Sequence, residues 1–183
     1  MQTEIIIAGF GGQGVLFAGQ VLAYAAMDSG RHVTWFPSYG PEMRGGTANC
    51  TVIVADEEIG SPTVRRPRAL VAFNLPSLDK FEPLVVTGGT ILANTSLIDR
   101  QVARQDLQVI SVAANGEAEQ IGDRRLMNSI MLGALIEATG VLPLEAVKAA
   151  LEAHLPERHR TLLPANFAAL DRGAELAGAK VLQ

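Results

Sequence analysis

The sequence predicts a three-layer α/β/α fold, with a mostly parallel or mixed central sheet and a helical C-terminal third. Short apolar runs alternate with stretches of helical periodicity over the first two thirds of the chain, as they do where strands and helices alternate. From Arg124 onward only the helical periodicity remains. A length of 183 residues with 48% hydrophobic side chains suits one domain with a sizeable core. No internal repeat or long linker divides the chain, so we predict a single domain over residues 1–183.

The strands are predicted from short runs rich in β-branched residues. The first, Glu4–Phe10, is continuously apolar, which is typical of a central strand buried on both faces. The other predicted strands are His32–Pro37, Ala48–Ala55, Ala69–Asn74, Gly89–Asn94 and Leu107–Ala113.

The helices are predicted from apolar residues spaced three and four apart. The first, Val15–Ser29, is followed by Gly30, which is a common residue just beyond a helix C-terminus. The later helices are predicted at Arg125–Thr139, Leu144–His154 and Asn166–Ala177.

Composition excludes several classes of protein. A net charge of -4 without a basic cluster disfavours nucleic-acid binding. No apolar stretch approaches the roughly 20 residues of a membrane span, and the N-terminus lacks a basic signal-peptide region. The single Cys50 excludes an internal disulfide and a four-thiolate iron–sulfur site on this chain alone, and we expect it to be a buried structural thiol. We therefore expect a cytoplasmic protein that binds neither nucleic acid nor membrane.

Residues 9–14 (GFGGQG) form a glycine-rich turn, here called the glycine loop, between the first strand and the first helix. Their spacing matches G-x-G-x-x-G, the fingerprint of a Rossmann-like start, in which a helix N-terminus presents backbone N–H groups to an anion. Glycines at such a turn also permit tight packing without any ligand. The second predicted strand ends at Ser38-Tyr39-Gly40 without the acid that would bind a ribose. A stand-alone NAD(P)-dependent oxidoreductase therefore remains only an alternative.

A second loop, SYGPEMRGG at residues 38–46, follows the second strand. In an open α/β sheet, loops at the carboxyl ends of parallel strands share one crevice, so we expect both loops to line it. Arg44, followed by two glycines, can present its guanidinium group to a phosphate or carboxylate. It can equally pair with Glu42 and hold the loop in shape.

Together, GFGGQGV and SYGPEMRGG make this chain resemble the gamma subunit, or gamma domain, of 2-oxoacid:ferredoxin oxidoreductases. Asn128 and Gly133 also match that family's pattern, and the segment Asn166–Gly173 matches it loosely. Pro41-Glu42-Met43 before Arg44 departs from the His-containing loop of the indolepyruvate type. The resemblance therefore favours the pyruvate, 2-oxoglutarate or branched-chain oxoacid group.

The resemblance implies an accessory subunit of an enzyme that converts a 2-oxoacid to an acyl-CoA and passes the electrons to ferredoxin. Thiamine diphosphate, Mg and [4Fe–4S] clusters would then be held by alpha, beta and ferredoxin-like partner subunits, with ferredoxin as the external acceptor. This chain would lie on the coenzyme A side of the active site, carry no catalytic residue and no metal, and be inactive alone. A stand-alone module that binds a nucleotide or acyl-CoA remains a further alternative.

The resemblance also implies roles for particular residues. The candidates for binding a phosphate of coenzyme A are Gly11, Gly12, Gln13, Gly14 and Arg44. The candidates for lining the site or meeting partner subunits are Ser38, Tyr39, Gly40, Pro41, Glu42, Met43, Gly45 and Gly46. The three histidines, His32, His154 and His159, lie outside both loops, and no catalytic role is expected for them.

Overall fold

The computed structural model describes residues 1–39 and 47–181. In this part of the chain six strands form one mixed sheet in the order β2-β3-β1-β4-β5-β6. The strands are β1 Gln2–Phe10, β2 His32–Tyr39, β3 Thr47–Ala55, β4 Ala69–Ala72, β5 Thr90–Asn94 and β6 Gln108–Val112. The predicted α/β class and mixed sheet are confirmed.

The position of β3 in the sheet decides where the glycine loop lies relative to the second loop, residues 38–46. β3 is antiparallel to both of its neighbours, β1 and β2, whereas β1, β4, β5 and β6 are mutually parallel. β1 and β2 therefore run in the same direction and end at the same edge of the sheet. At that edge Phe10 pairs with Thr47, and Tyr39 pairs with Ala48. The strands on either side of residues 40–46 thus end beside the start of the glycine loop.

Six helices pack on the sheet in the described residues. They are α1 Val15–Asp28, α2 Leu75–Phe81, α3 Ala114–Ile121, α4 Met127–Thr139, α5 Leu144–His154 and α6 Leu163–Val181. Short 3-10 turns occur at Glu82–Leu84, Arg124–Leu126 and Glu157–Leu162. The helices α1, α4, α5 and α6 were predicted; α2 and α3 were not, because helices of 7 and 8 residues show little periodicity.

The two faces of the sheet carry cores of unequal size. The larger core joins one face to α1, α3, α4, α5 and α6, and it includes Ile5, Ile7 and Ile130. The smaller core lies on the opposite face, where Ile6 and Leu70 pack against Leu78 and Phe81 of α2. The three predicted layers are present, with most of the helical mass on one side.

The helices α4 and α6 cross in backbone contact at two glycines. A Cβ atom placed on Gly133 would lie 2.0 Å from the carbonyl oxygen of Leu170, and one on Gly173 would lie 1.9 Å from that of Ile130. No other residue type fits at these two positions without moving a helix. The crossing fixes the N-terminus of α4 and therefore the position of Asn128, which packs against the glycine loop.

None of the helices in the described part of the chain is long and apolar enough to cross a membrane.

Candidate functional site

The glycine loop joins β1 to α1 in a conformation that requires glycine at two positions. Gly12 has φ 93° and Gly14 has φ 75°, both in the left-handed region that L-residues with a Cβ avoid. Helix α1 begins directly after Gly14. Gly11 and Gly12 are exposed, and a Cβ atom at either would meet no atom within 4 Å. The backbone of these two residues is therefore open to solvent or to a ligand.

Gln13 holds the loop from inside. Its backbone N–H, one of the four predicted donors to an anion, donates to the carbonyl oxygen of Phe10 over 3.2 Å and so already has an acceptor within the protein. Its side-chain Oε1 accepts from the Phe10 N–H at 2.6 Å and from Asn74 Nδ2 at 3.2 Å. Among the described residues, the N–H groups of Gly11, Gly12 and Gly14 have no acceptor. Within the described part of the chain, three of the four predicted backbone donors therefore lack an acceptor.

Asn128 packs on the loop from the N-terminus of α4. A Cβ atom on Gly14 would lie 2.1 Å from Asn128 Nδ2, which itself lies 3.5 Å from the Gly14 carbonyl oxygen. The Asn128 side chain is held in turn, since its Oδ1 accepts from the Ser129 N–H at 2.7 Å. Ser129 Oγ then donates to Asn166 Oδ1 of α6 at 2.8 Å. A buried polar chain thus connects the loop to the α4–α6 pair.

Asparagines also follow the two neighbouring strands at this edge. Asn74, directly after β4 and Phe73, accepts from the Ser77 N–H at 3.0 Å and so begins α2. Asn94, at the end of β5, is fully buried and donates from Nδ2 to the Phe73 carbonyl at 3.2 Å and to Asn115 Oδ1 at 2.9 Å. We did not predict these two roles, although an asparagine between a strand and a helix was the available signal. The uncharged side-chain amides of Asn74 and Asn94 therefore lie at this edge of the sheet and are hydrogen-bonded within the protein.

Ser38 is exposed at the end of β2, and Tyr39 is the last residue of that strand. The remaining loop candidates lie outside the described residues: Gly40, Pro41, Glu42, Met43, Arg44, Gly45 and Gly46. Their placement at a crevice shared with the glycine loop therefore stays a prediction, supported by where the flanking strands end.

The other predicted residues fit structural roles. Cys50 is fully buried beneath α1, and burial raises the pKa of its thiol to about 12, only partly offset by the nearby Trp35 side chain. A Cβ atom on Gly19 would lie 2.3 Å from the Cys50 sulfur, so the thiol fills space against the helix. His32 begins β2, as predicted. Over residues 1–39 and 47–181, no group of three or more His, Cys, Asp or Glu side chains could hold a metal ion.

The sheet order bears on the NAD(P) alternative. In a dinucleotide-binding fold the acid that binds the ribose stands at the tip of the strand beside β1. Here β3 lies between β1 and β2. Because neighbouring strands are about 4.8 Å apart, the end of β2 lies about 9.6 Å from the end of β1. The residues at that tip, Ser38 and Tyr39, are not acidic. Both observations disfavour a dinucleotide site built on the glycine loop.

The mixed sheet and the glycine loop at one of its edges define an α/β protein with an exposed, glycine-rich turn between its first strand and first helix. The chain belongs to the pyruvate ferredoxin/flavodoxin oxidoreductase family, whose profile matches residues 4–176. The resemblance stated from the two loop motifs is thereby confirmed.

Several known proteins are similar to this chain. The ketoisovalerate oxidoreductase subunit VorA of Methanothermobacter marburgensis is 46% identical over 144 residues, covering 79% of this chain and 30% of VorA. The 2-oxoglutarate synthase subunit KorC of the same organism is 37% identical over 163 residues, covering 85% of this chain and 88% of KorC. This chain thus spans about a third of the length of the VorA relatives (30% and 36%) but most of KorC.

The fold is also found in solved structures. The gamma subunit of a keto/oxoacid ferredoxin oxidoreductase from Geobacter sulfurreducens PCA superposes with a TM-score of 0.87 at 29% identity, covering 98% of both chains. The same sheet and helices therefore occur in a separate gamma subunit and, judging from VorA, within a longer chain.

Proposed function

We propose that this chain is the gamma component of a 2-oxoacid:ferredoxin oxidoreductase and that its glycine loop binds a phosphate group of coenzyme A. The observation that carries the proposal is the set of three backbone N–H groups, on Gly11, Gly12 and Gly14, that have no acceptor among residues 1–39 and 47–181 and lie at or just before the N-terminus of α1. The similarity to VorA, KorC and the Geobacter gamma subunit supports the enzyme class.

The loop is suited to an anion because its shape does not depend on the ligand. Gln13 and Asn128 hold it through contacts inside the protein. A helix N-terminus stabilises an exposed anion by about 0.3–1 kcal/mol. Each hydrogen bond to a charged group adds roughly 1.5–3 kcal/mol. Association costs on the order of 4–15 kcal/mol in lost freedom, so the loop alone binds weakly. Arg44 and partner subunits complete the site.

The proposal assigns the chemistry to other chains. Alpha, beta and ferredoxin-like subunits hold thiamine diphosphate, Mg and the [4Fe–4S] clusters, and ferredoxin accepts the electrons in the cytoplasm. The single Cys50 of this chain is buried and cannot supply a cluster. The isolated chain is therefore inactive toward 2-oxoacids.

The first test is purification of the tagged chain from its native host. Co-purification of a thiamine-binding chain and a ferredoxin-like chain supports the proposal. A chain that purifies alone and binds coenzyme A tightly instead identifies a stand-alone acyl-CoA-binding module.

The second test uses two glycines that both have positive φ. Gly12 in the loop and Gly30 after α1 have φ 93° and 72°, and a Cβ atom at either meets nothing within 4 Å. In the assembled enzyme, Gly12→Ala should raise the KM for coenzyme A, whereas Gly30→Ala should leave it unchanged. Arg44→Ala should also raise this KM while oxoacid-dependent cluster reduction continues. Equal effects of the two glycine variants, or dissociation of the complex by Arg44→Ala, would contradict the ligand role.

A further inference from the structure

A cleft of about 400 Å³ lies between α1 and the segment that runs from the end of α5 into the 3-10 turn Glu157–Leu162. This volume is within the range of small-molecule sites, about 300–1,000 Å³. Phe17, Val21, Leu151 and Leu155 supply apolar walls. On α1 its lining begins at Phe17, about one turn beyond the glycine loop.

One wall of the cleft is rigid. The rings of Tyr24 and His154 stack with centroids 4.0 Å apart and planes 5° from parallel. His154 Nε2 lies 2.8 Å from a carboxylate oxygen of Asp28, and the Gln20 side-chain amide donates to the Tyr24 hydroxyl over 3.1 Å. Both rings are thus held by neighbours before any ligand arrives, so little conformational freedom is lost on binding.

The charge of the cleft is unusual for this chain. The net charge of the protein is -4, yet none of the residues lining the cleft is Asp or Glu. Its cationic side chain is Arg158, whose Nε donates to His159 Nε2 at 3.1 Å. Within the described ranges Arg158 has no carboxylate partner, whereas Arg160, two residues further along, is paired with Glu157 at 3.1 Å. One lining residue does contact a carboxylate, since Asp28 lies 2.8 Å from His154 Nε2.

We propose that this cleft binds an aromatic monocarboxylate. Arg158 offers one guanidinium group that has no carboxylate partner among the described residues, which favours a ligand with one anionic group. The planar guanidinium can form two parallel hydrogen bonds to a carboxylate. The ring walls formed by Phe17, by the Tyr24–His154 stack and by Pro156 suit a flat apolar body. The site uses none of the glycine-loop residues, so it stands or fails separately from the function proposed above.

The test is a titration of the ¹⁵N-labelled full chain with 3-phenylpropanoate, followed by NMR. Chemical shifts should move at Gln20, Tyr24 and Arg158. Two probes dissect the ligand: 3-phenylpropan-1-ol lacks the charge, and propanoate lacks the ring. Each should bind at least about 10-fold more weakly, because each lacks one half of the recognised chemistry.

The variant Arg158→Gln should weaken binding of 3-phenylpropanoate by roughly 10- to 100-fold, since it removes charged hydrogen bonds. Arg160→Gln is the matched control: this side chain is in the same turn, is paired with Glu157 and does not line the cleft. It should change the affinity less than about 2-fold. The proposal is overturned if no probe binds, if the alcohol binds as well as the acid, or if Arg158→Gln and Arg160→Gln behave alike.

Discussion

Replacing Gly14 by alanine should destabilise the protein by roughly 2–5 kcal/mol, through two separate costs. The residue has φ 75°, and holding an L-residue there costs about 1–2 kcal/mol. The new Cβ atom would also lie 2.1 Å from Nδ2 and 2.9 Å from Cγ of Asn128. Asn128 is only 8% exposed and is hydrogen-bonded to Ser129, so it cannot move aside freely. Overpacking of this kind costs about 1–3 kcal/mol.

Gly12→Ala separates the two costs. Gly12 has φ 93°, but a Cβ atom there meets nothing within 4 Å. Only the conformational cost of about 1–2 kcal/mol should remain. The measurement is urea unfolding of both variants and the wild type, followed by far-UV circular dichroism and by the fluorescence of the single tryptophan, Trp35.

Equal destabilisation by the two substitutions would refute the reasoning, because Asn128 would then not lie fixed against Gly14. A double-mutant cycle gives a second check. Removing the amide with Asn128→Ala should make Gly14→Ala less costly, with a coupling energy of about 1–3 kcal/mol. A coupling near zero would likewise contradict the contact.

Three further predictions concern stability and reactivity. Gly133→Ala should destabilise the protein by about 3 kcal/mol or more in urea unfolding, because its Cβ atom would lie 2.0 Å from a backbone oxygen of α6. Gly178→Ala is the matched control in α6: its Cβ atom would meet no atom closer than 3.5 Å, so the substitution should stabilise this helix by about 1 kcal/mol. The native Cys50 thiol, with its pKa raised to about 12, should not react with Ellman's reagent at pH 8 until the protein unfolds. Because the unfolded thiol loses its proton first, the free energy of unfolding should fall by up to about 1.4 kcal/mol per pH unit above about pH 9, a slope that Cys50→Ala should remove. Gln13→Leu should cost about 1–3 kcal/mol by leaving the Phe10 N–H without its acceptor, and Gln13→Glu, which keeps that oxygen, should cost less.

The strands could be predicted from the sequence because each is a short apolar run, but their order could not. Nothing local to β3 shows that it pairs with β1 and β2 in antiparallel fashion, since that choice depends on residues far apart in the chain. The helix α2 carried a readable signal, Asn74 followed by Leu75-Pro76, which suits a helix start. Its 7 residues were too few for a periodicity argument.

At the site, the glycine spacing correctly placed a tight turn before α1. The spacing could not show that Gln13 faces inward, because a glutamine serves equally well as a ligand contact and as an internal hydrogen-bond partner. Nor could it show that Asn128 packs on Gly14, a contact set by the α4–α6 crossing. The ligand role of Arg44 stays a prediction.

The contact between Asn128 and Gly14 joins residues that are 114 positions apart in the sequence. Such a distant pair forms late, because a long stretch of chain must first be ordered. We therefore expect the contact of Asn128 with the glycine loop to form only after α4 has docked, whereas the local bonds between Gln13 and Phe10 can form earlier. During synthesis on the ribosome, β1 and α1 emerge long before Asn128, which packs on the turn between them. A nascent chain would consequently complete the packing around this turn as one of its last folding events.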